Sequence, residues 1–256
     1  MNLLKRIVPW AVKERIRSLA AHLAHGAPDA MPSFAHAGED RVLNYLFKRR
    51  RVGFYVDVGA YHPTTSSNTM LFYRRGWRGI NIDACPGSMR AFERCRPRDA
   101  NVEAAVSDQP GTLTYYRIGT RRHEMNSLAP EFQTRLYADF DIDPASVRPM
   151  EVRAMALRDI LDAHLPVGVR TIDFLSVDVE GYEMHVLASN DWERYRPIVV
   201  MLEHHAEMTA GIFEEGPCRY MAERGYRLIA KTPNEIVFLE KGYSLDRSGF
   251  IVFPDA

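Results

Sequence analysis

A chain of 256 residues, 46% hydrophobic and 26% charged, has the length and composition of a globular protein with one sizeable core. Its 33 Lys and Arg balance 33 Asp and Glu, so no global charge favours nucleic acid, and any basic stripe would have to be local. No apolar stretch approaches the roughly eighteen residues a membrane span needs, and three cysteines without C-x-x-C spacing suit a reducing, cytoplasmic compartment.

The first seventeen residues are basic and apolar, but their charges interrupt any signal-peptide core. From Pro9 the spacing predicts a helix with Val12, Ile16 and Leu19 on one stripe. Such a stripe suits docking on the domain or on a partner subunit in a homo-oligomer; peripheral contact with a membrane surface is the alternative. Residues 26–38 hold two Pro and two Gly without periodicity and read as a linker. The expected organisation is a helical extension and linker over 1–38 and one domain over 39–256.

Glu39–Arg50 is a predicted helix whose Lys48–Arg51 cluster caps its C-terminal end as a solvated group of cations. Short apolar strands then alternate with helical segments. Strands are expected at Phe54–Ala60, Gly79–Ala84, Asn101–Ser107 and Gly111–Ile118, with helices at Thr65–Arg75 and Gly87–Arg96. Residues 119–150 are polar and irregular and read as a lid or substrate loop. The pattern resumes with a strand at Val152–Ala156, a helix at Leu157–His164, strands at Thr171–Asp178 and Pro197–Glu203, and helices from Gly181 and over Pro217–Arg224. Tyr226–Lys231 and Glu235–Lys241, joined by T-P-N, close the chain as a hairpin. The implied architecture is α/β: a doubly wound, Rossmann-like, mostly parallel sheet with an antiparallel C-terminal hairpin.

Three apolar runs end in acid: F-Y-V-D-V-G-A at 54–60, N-I-D at 81–83 and S-V-D-V-E-G at 176–181. Open α/β sheets place ligand-binding groups at such strand ends. A nicotinamide dinucleotide would need G-x-G-x-x-G, yet Tyr61 and Pro63 follow Gly59. A phosphate-free nucleoside needs no such cradle, and S-adenosylmethionine (SAM) is one. Asp57 suits its ammonium, directly or through water, although as a plain structural group it would cap the next helix. Asp83 suits the ribose hydroxyls, or else caps a helix itself. Ala105, Val106 and Ser107 would flank the adenine. Asp178, Glu180, Glu203, His204 and His205 gather at two adjacent strand ends, a set suited to a general base or to a divalent cation such as Mg²⁺ held by Asp178 and Glu203. The base would be Asp178 or a neutral His204, with Glu180 beside it; Glu183 lies one turn into a helix, where its charge is favourable in any case.

The run V-D-V-G-A-Y-H-P-T-T-S-S-N-T-M-L-F-Y-R-R-G-W-R-G-I-N-I-D, followed by A-V-S-D-Q-P-G, L-R-D-I-L, I-D-F-L-S-V-D-V-E-G-Y-E-M-H-V-L and R-P-I-V-V-M-L-E, resembles the FkbM family of methyltransferases over about residues 53–205. The resemblance implies a class I SAM-dependent fold and O-methylation of a hydroxyl, with sugars of glycans and glycolipids and alcohols of secondary metabolites among the acceptors. By position it makes Asp57, Gly59, Ala60, Asp83, Ser107 and Asp178 cofactor-side residues, with Tyr61, Asn68 and Ala84 beside them, and puts Glu180 and Glu203 nearer the acceptor. Where many members carry a second Gly or an Asn after G-A, this chain has Tyr61-His62-Pro63, so His62 also becomes a candidate contact. The alternatives are a non-catalytic methyltransferase fold that serves as a binding protein, a nucleotide-dependent oxidoreductase, and a nucleic-acid methyltransferase. The last is disfavoured because D-V-E-G-Y stands where base-directed enzymes often carry an N/D-P-P-Y motif.

Overall fold

A computed structural model describes residues 32–118, 126–129, 142–204, 210–214 and 216–253. The expected N-terminal helix, residues 26–31 of the expected linker, much of the 119–150 loop and His205 lie outside the described residues. In chain order the elements are α1 (Glu39–Leu46), β1 (Phe54–Val58), α2 (Met70–Arg74), β2 (Arg78–Asp83), α3 (Met89–Cys95), β3 (Ala100–Glu103), β4 (Ala105–Val106) and β5 (Gly111–Ile118). They continue with β6 (Val147–Met155), α4 (Leu157–His164), β7 (Phe174–Val177), α5 (Glu183–Ala188), β8 (Val199–Glu203), α6 (Gly216–Glu223), β9 (Tyr226–Lys231), β10 (Glu235–Glu240), β11 (Ser244–Leu245) and β12 (Ile251–Val252).

The main sheet has seven strands in the order β3-β2-β1-β7-β8-β10-β9, with β10 antiparallel to both its neighbours and the first five strands parallel. Alternation along each strand divides the core between two faces. Val56, Val58, Ile82, Leu175, Val177, Leu202 and Phe238 pack with Leu157, Ile160, Val186, Leu187 and Met221 of α4, α5 and α6. Tyr55, Phe174, Val199, Met201, Val237 and Leu239 point to the other face and pack with Leu43 of α1, Phe47 just after it and Phe72 of α2. Helices therefore cover both faces, as the βα alternation requires.

The boundaries differ in instructive ways. The helix expected over Thr65–Arg75 begins only at Met70, because the residues before it are committed to side-chain bonds: Ser66 takes a left-handed φ of 48°, and Thr69 donates its hydroxyl to Asp57 at 2.7 Å. Asn101–Ser107 is two strands, not one. β3 pairs with β2 in the main sheet, whereas β4 pairs with β6 in a separate three-stranded sheet of order β4-β6-β5. The strand expected at Val152–Ala156 is the end of the longer β6, which pairs with all of β5 and takes residues 147–150 out of the supposed loop. α1 ends at Leu46, and the cations after it are paired: Arg50 Nε meets Asp173 at 2.8 Å, Arg49 meets Asp246 at 2.7 Å, and Lys48 lies over the Phe250 ring at 5.1 Å.

Arg96, at the C-cap of α3, is fully buried and all its N–H groups are used. Nε donates to Pro63 O at 2.9 Å, Nη1 to Thr69 Oγ1 at 2.6 Å and Asn81 Oδ1 at 3.1 Å, and Nη2 to Pro63 O at 2.6 Å and Ser67 Oγ at 2.7 Å. One side chain thus ties the β1–α2 connection to β2. Replacing Arg96 with Ala leaves these acceptors and Asp57 buried without their cation, at a cost of about 3–5 kcal/mol. A thermal melt should show a drop large enough to leave the variant marginally folded; an unchanged midpoint would refute the assignment.

Candidate functional site

Strand register places a row of acids across the carboxyl edge. Asp83 stands opposite Glu103, and Glu235 opposite Glu203. One step past Val58↔Val177 and Val177↔Leu202, the same registers bring Gly59 beside Asp178 and Asp178 beside Glu203. Asp57 belongs to the same face one pleat earlier, opposite Asn81 and Ser176. The acid-tipped strand ends therefore open on one side of the sheet.

Gly59 sits in the middle of this row because nothing else fits. Its φ is 81°, and a Cβ there would meet the Asp178 carbonyl oxygen at 1.6 Å. Its N–H and that of Ala60 both donate to Ile82 O, at 2.9 and 3.0 Å. Asp83 then fixes two loops at once, accepting from Tyr61 N and from Cys85 N at 2.8 Å each. Burial pushes its carboxyl above the usual range, against the pull of these two bonds.

Above the edge opens a cavity of about 340 Å³. Val58, Gly59, Ile82 and Asp83 line it, with Ala84, Tyr61 and His62, and with Asp178 and Val179 after β7. Ala105 and Val106 line it as well, next to the corner at Ala104. The facing wall is Tyr115 and Arg117 of β5 with Asn126, Ser127 and Leu128. That wall comes from the second sheet and from the region read as an irregular loop, so sequence reasoning missed Tyr115 and Arg117. The alternation T-L-T-Y-Y-R-I marked the strand without saying what it covers.

Four of the expected cofactor residues stand off the cavity lining. Asp57 is buried beneath it, bonded to Thr69, and burial outweighs that bond and the Arg96 charge to push its carboxyl up to about 6. Ala60 packs against Met89 and Phe92. Asn68 donates to Ser176 Oγ at 3.2 Å, and the Ser107 hydroxyl meets the Tyr182 hydroxyl at 3.2 Å. These residues shape the site from behind. His62 Nδ1 accepts from the N–H groups of Thr64 and Thr65, both at 3.2 Å, which fixes the turn after Gly59.

Asp178, Glu180 and Glu203 each bring one carboxylate oxygen within 4.8 Å of the others. Glu180 is held at φ 53°, its N–H donating to Glu203 Oε2 at 3.2 Å and its carbonyl accepting from Ser127 Oγ at 2.6 Å. Burial first, then the charges of Glu203 and Glu183, push Asp178 well above the usual carboxyl range. Burial and the Glu183 charge push Glu203 up to about 7. A hydrogen bond between the Asp178 and Glu203 carboxyls, which requires a proton shared between them, raises Asp178 further and pulls Glu203 the other way, against its burial. Burial likewise raises Glu235. The backbone of His204 is anchored, its N–H donating to Asn234 O at 2.7 Å and its carbonyl accepting from Lys231 Nζ at 2.8 Å.

Five parallel strands extended by an antiparallel β10 between β8 and β9, with a cavity at the carboxyl edge, are the class I methyltransferase fold. The profile of the methyltransferase FkbM domain matches residues 57–228, and the chain belongs to that family of SAM-dependent methyltransferases. Among solved structures it is similar to the O-methyltransferase TomG of Streptomyces achromogenes, involved in tomaymycin synthesis and solved with SAM, at 13% identity over 92% of this chain and 91% of that one, TM-score 0.42. It is similar also to an O-methyltransferase of Bacillus cereus solved with SAH, at 12% identity over 92% and 93%, TM-score 0.37. A TehB-like SAM-dependent methyltransferase of Corynebacterium glutamicum matches at 12% identity over 90% and 99%, TM-score 0.39. No curated protein matches the chain. Among the described residues no helix is long and apolar enough to cross a membrane.

The raised acids set the sign of the pH dependence. With Asp57 at about 6 and Glu203 at about 7, the folded chain binds more protons than the unfolded one between pH 4 and 7, so stability falls as pH rises through that window. Without cofactor, the thermal midpoint should be lower at pH 8 than at pH 5.5, and Glu203→Gln should flatten the difference. A midpoint that climbs with pH would contradict these assignments.

Proposed function

We propose that the chain transfers a methyl group from SAM to a hydroxyl of a sugar, in a glycan or glycolipid, or of a secondary metabolite. The observation that carries this reading is the row Asp83–Gly59–Asp178–Glu203 along one edge, with the cavity opening over its first part. The close approach of Gly59 to Asp178 leaves no phosphate cradle at the end of β1, which disfavours a dinucleotide and with it the oxidoreductase alternative. Each oxygen of Asp83 takes one backbone N–H and keeps capacity for a ribose hydroxyl.

SAM supplies an activated methyl on a sulfonium, and in-line displacement on that carbon by the acceptor oxygen gives a methyl ether and SAH. The protein's tasks are to align the oxygen and to take its proton. Asp178 lines the cavity beside Gly59 and Val179. Its carboxyl shares a proton with Glu203, which lies near 7 and can accept the hydroxyl proton at neutral pH. His204, next in the chain, is the other base on that strand end, and Glu180 completes the acidic wall. Asp178→Asn, which keeps shape but breaks the proton-sharing pair that acts as the base, should lower transfer by about 10²–10⁴-fold. Calorimetry should still register cofactor binding; wild-type transfer rates would overturn the role. The assay is mass spectrometry of a glycan and metabolite pool incubated with labelled methyl donor.

The clustering of oxygens from Asp178, Glu180 and Glu203 favours a second version, in which a hard divalent cation such as Mg²⁺ held by Asp178 and Glu203 orients and acidifies the hydroxyl. Dialysis against EDTA separates the two: full activity afterwards leaves the base mechanism, and loss restored by Mg²⁺ establishes the metal.

A further inference from the structure

The roof of the cavity carries a pair of cations that the transfer step does not use. Residues directly opposite one another on antiparallel strands share a face of the sheet. Along β5 and β6 the pairs Leu113↔Val152 and Tyr115↔Met150 pack in one cluster with Ala84 and Cys85, which follow β2. The next pair on that face is Arg117↔Arg148. Arg117 lines the cavity with Tyr115, and its charge acts on Tyr115 and on Cys85 across the space.

The pair lies at the outer end of the roof. β4 joins this sheet at the opposite end, where Ala154 stands between Ala105 and Gly111. Six residues of β5 separate Gly111 from Arg117, roughly 20 Å of strand. Arg117 and Arg148 are exposed, and neither makes a hydrogen bond or an ion pair with a described residue. A single exposed arginine needs no partner but water. Two that start about 4.5–5.5 Å apart at Cβ repel each other, and an anion between them turns that repulsion into attraction to both.

We propose that Arg117 and Arg148 form an oxyanion site at the outer end of the cavity roof, which holds a phosphate group borne by the acceptor, so that the substrate is an acidic hydroxyl compound and not a neutral one. This rests on the hydroxyl-directed reading above. Each guanidinium presents a fork of N–H donors that matches two oxygens. Two forks suit a phosphate monoester, with three free oxygens and close to two charges near neutral pH, better than the single charge of a carboxylate. The position suits the acceptor as well. Arg117 reaches the cavity while Arg148 stands beyond its lining, so the pair spans the way in for a molecule that lies over bound cofactor.

The test uses the full chain loaded with SAH and saturation-transfer NMR at fixed ionic strength, with methyl phosphate and the uncharged trimethyl phosphate as probes. Methyl phosphate should be saturated and its neutral counterpart should not. Its affinity should fall by about tenfold or more in Arg117→Ala and in Arg148→Ala, the loss expected for a hydrogen bond to a charged group. Arg153→Ala, opposite Thr112 on the other face of the same two strands, should change nothing. SAH affinity by calorimetry should be the same in all four proteins. Absent SAH binding by the wild type would sink the methyltransferase reading itself. With SAH bound, equal saturation of the two probes, saturation of neither, indifferent arginine-pair variants or an equal loss in Arg153→Ala would overturn the site alone. So would an Arg117→Ala variant that loses SAH but keeps methylthioadenosine, because the pair would then hold the donor's own carboxylate.

Discussion

A guanidinium buried without a carboxylate touching it holds the cofactor edge together. Arg96 spends its donors on two carbonyl bonds to Pro63 and on Ser67, Thr69 and Asn81, and only Thr69 passes the interaction on, donating in turn to Asp57. The strand end and the following turn are therefore locked to each other through neutral groups. That leaves Asp57 poorly compensated, and its carboxyl rises although a cation lies nearby. The arrangement fixes the backbone of the turn, whose N–H of Tyr61 then reaches Asp83. Geometry here is set by directional bonds, and charge follows from geometry.

Strain gathers at the same edge. Tyr61, Ser66 and Glu180 are the non-glycine residues with positive φ among those described, and two of them flank Gly59 and Gly181 at the strand ends. Such conformations cost about 1–3 kcal/mol each and persist only where surrounding bonds over-determine them. Tyr61 is held by Asp83, and Glu180 by Glu203 on one side and Ser127 on the other. The acids that would take part in transfer thus also hold the loops that carry them.

Much of this was legible in the chain. Apolar runs ending in acid and Gly located β1, β2 and β7 because burial on both faces leaves a strand few polar positions except its end. The doubly wound sheet followed from the alternation of strands and helices, and the methyltransferase class from the resemblance carried by the motifs. What was not legible is non-local. N-V-E-A-A-V-S reads as one unbroken strand, and only pairing with β6, some fifty residues on, splits it between sheets. Nothing in C-R-P-R distinguishes Arg96, which is buried, from an exposed neighbour such as Arg94. E-I-V-F-L-E looks like an ordinary edge segment with solvated ends, yet Glu235 is buried in the fold. The cofactor candidates Asp57 and Ser107 stand off the cavity lining, Asp57 bonded to Thr69 and Ser107 to Tyr182.

The corner at Ala104 has a mechanical effect. A single residue separates β3 in the floor from β4 in the roof, and its N–H is pinned to the Asp83 carbonyl at 3.1 Å. The aperture between the two sheets on that side is set by covalent continuity of the main chain, with Ala104 and Val106 packed into the main core. Repacking the hydrophobic interior would soften the protein long before it widened the slot, whereas lengthening this hinge by one amino acid would re-gauge the slot at once.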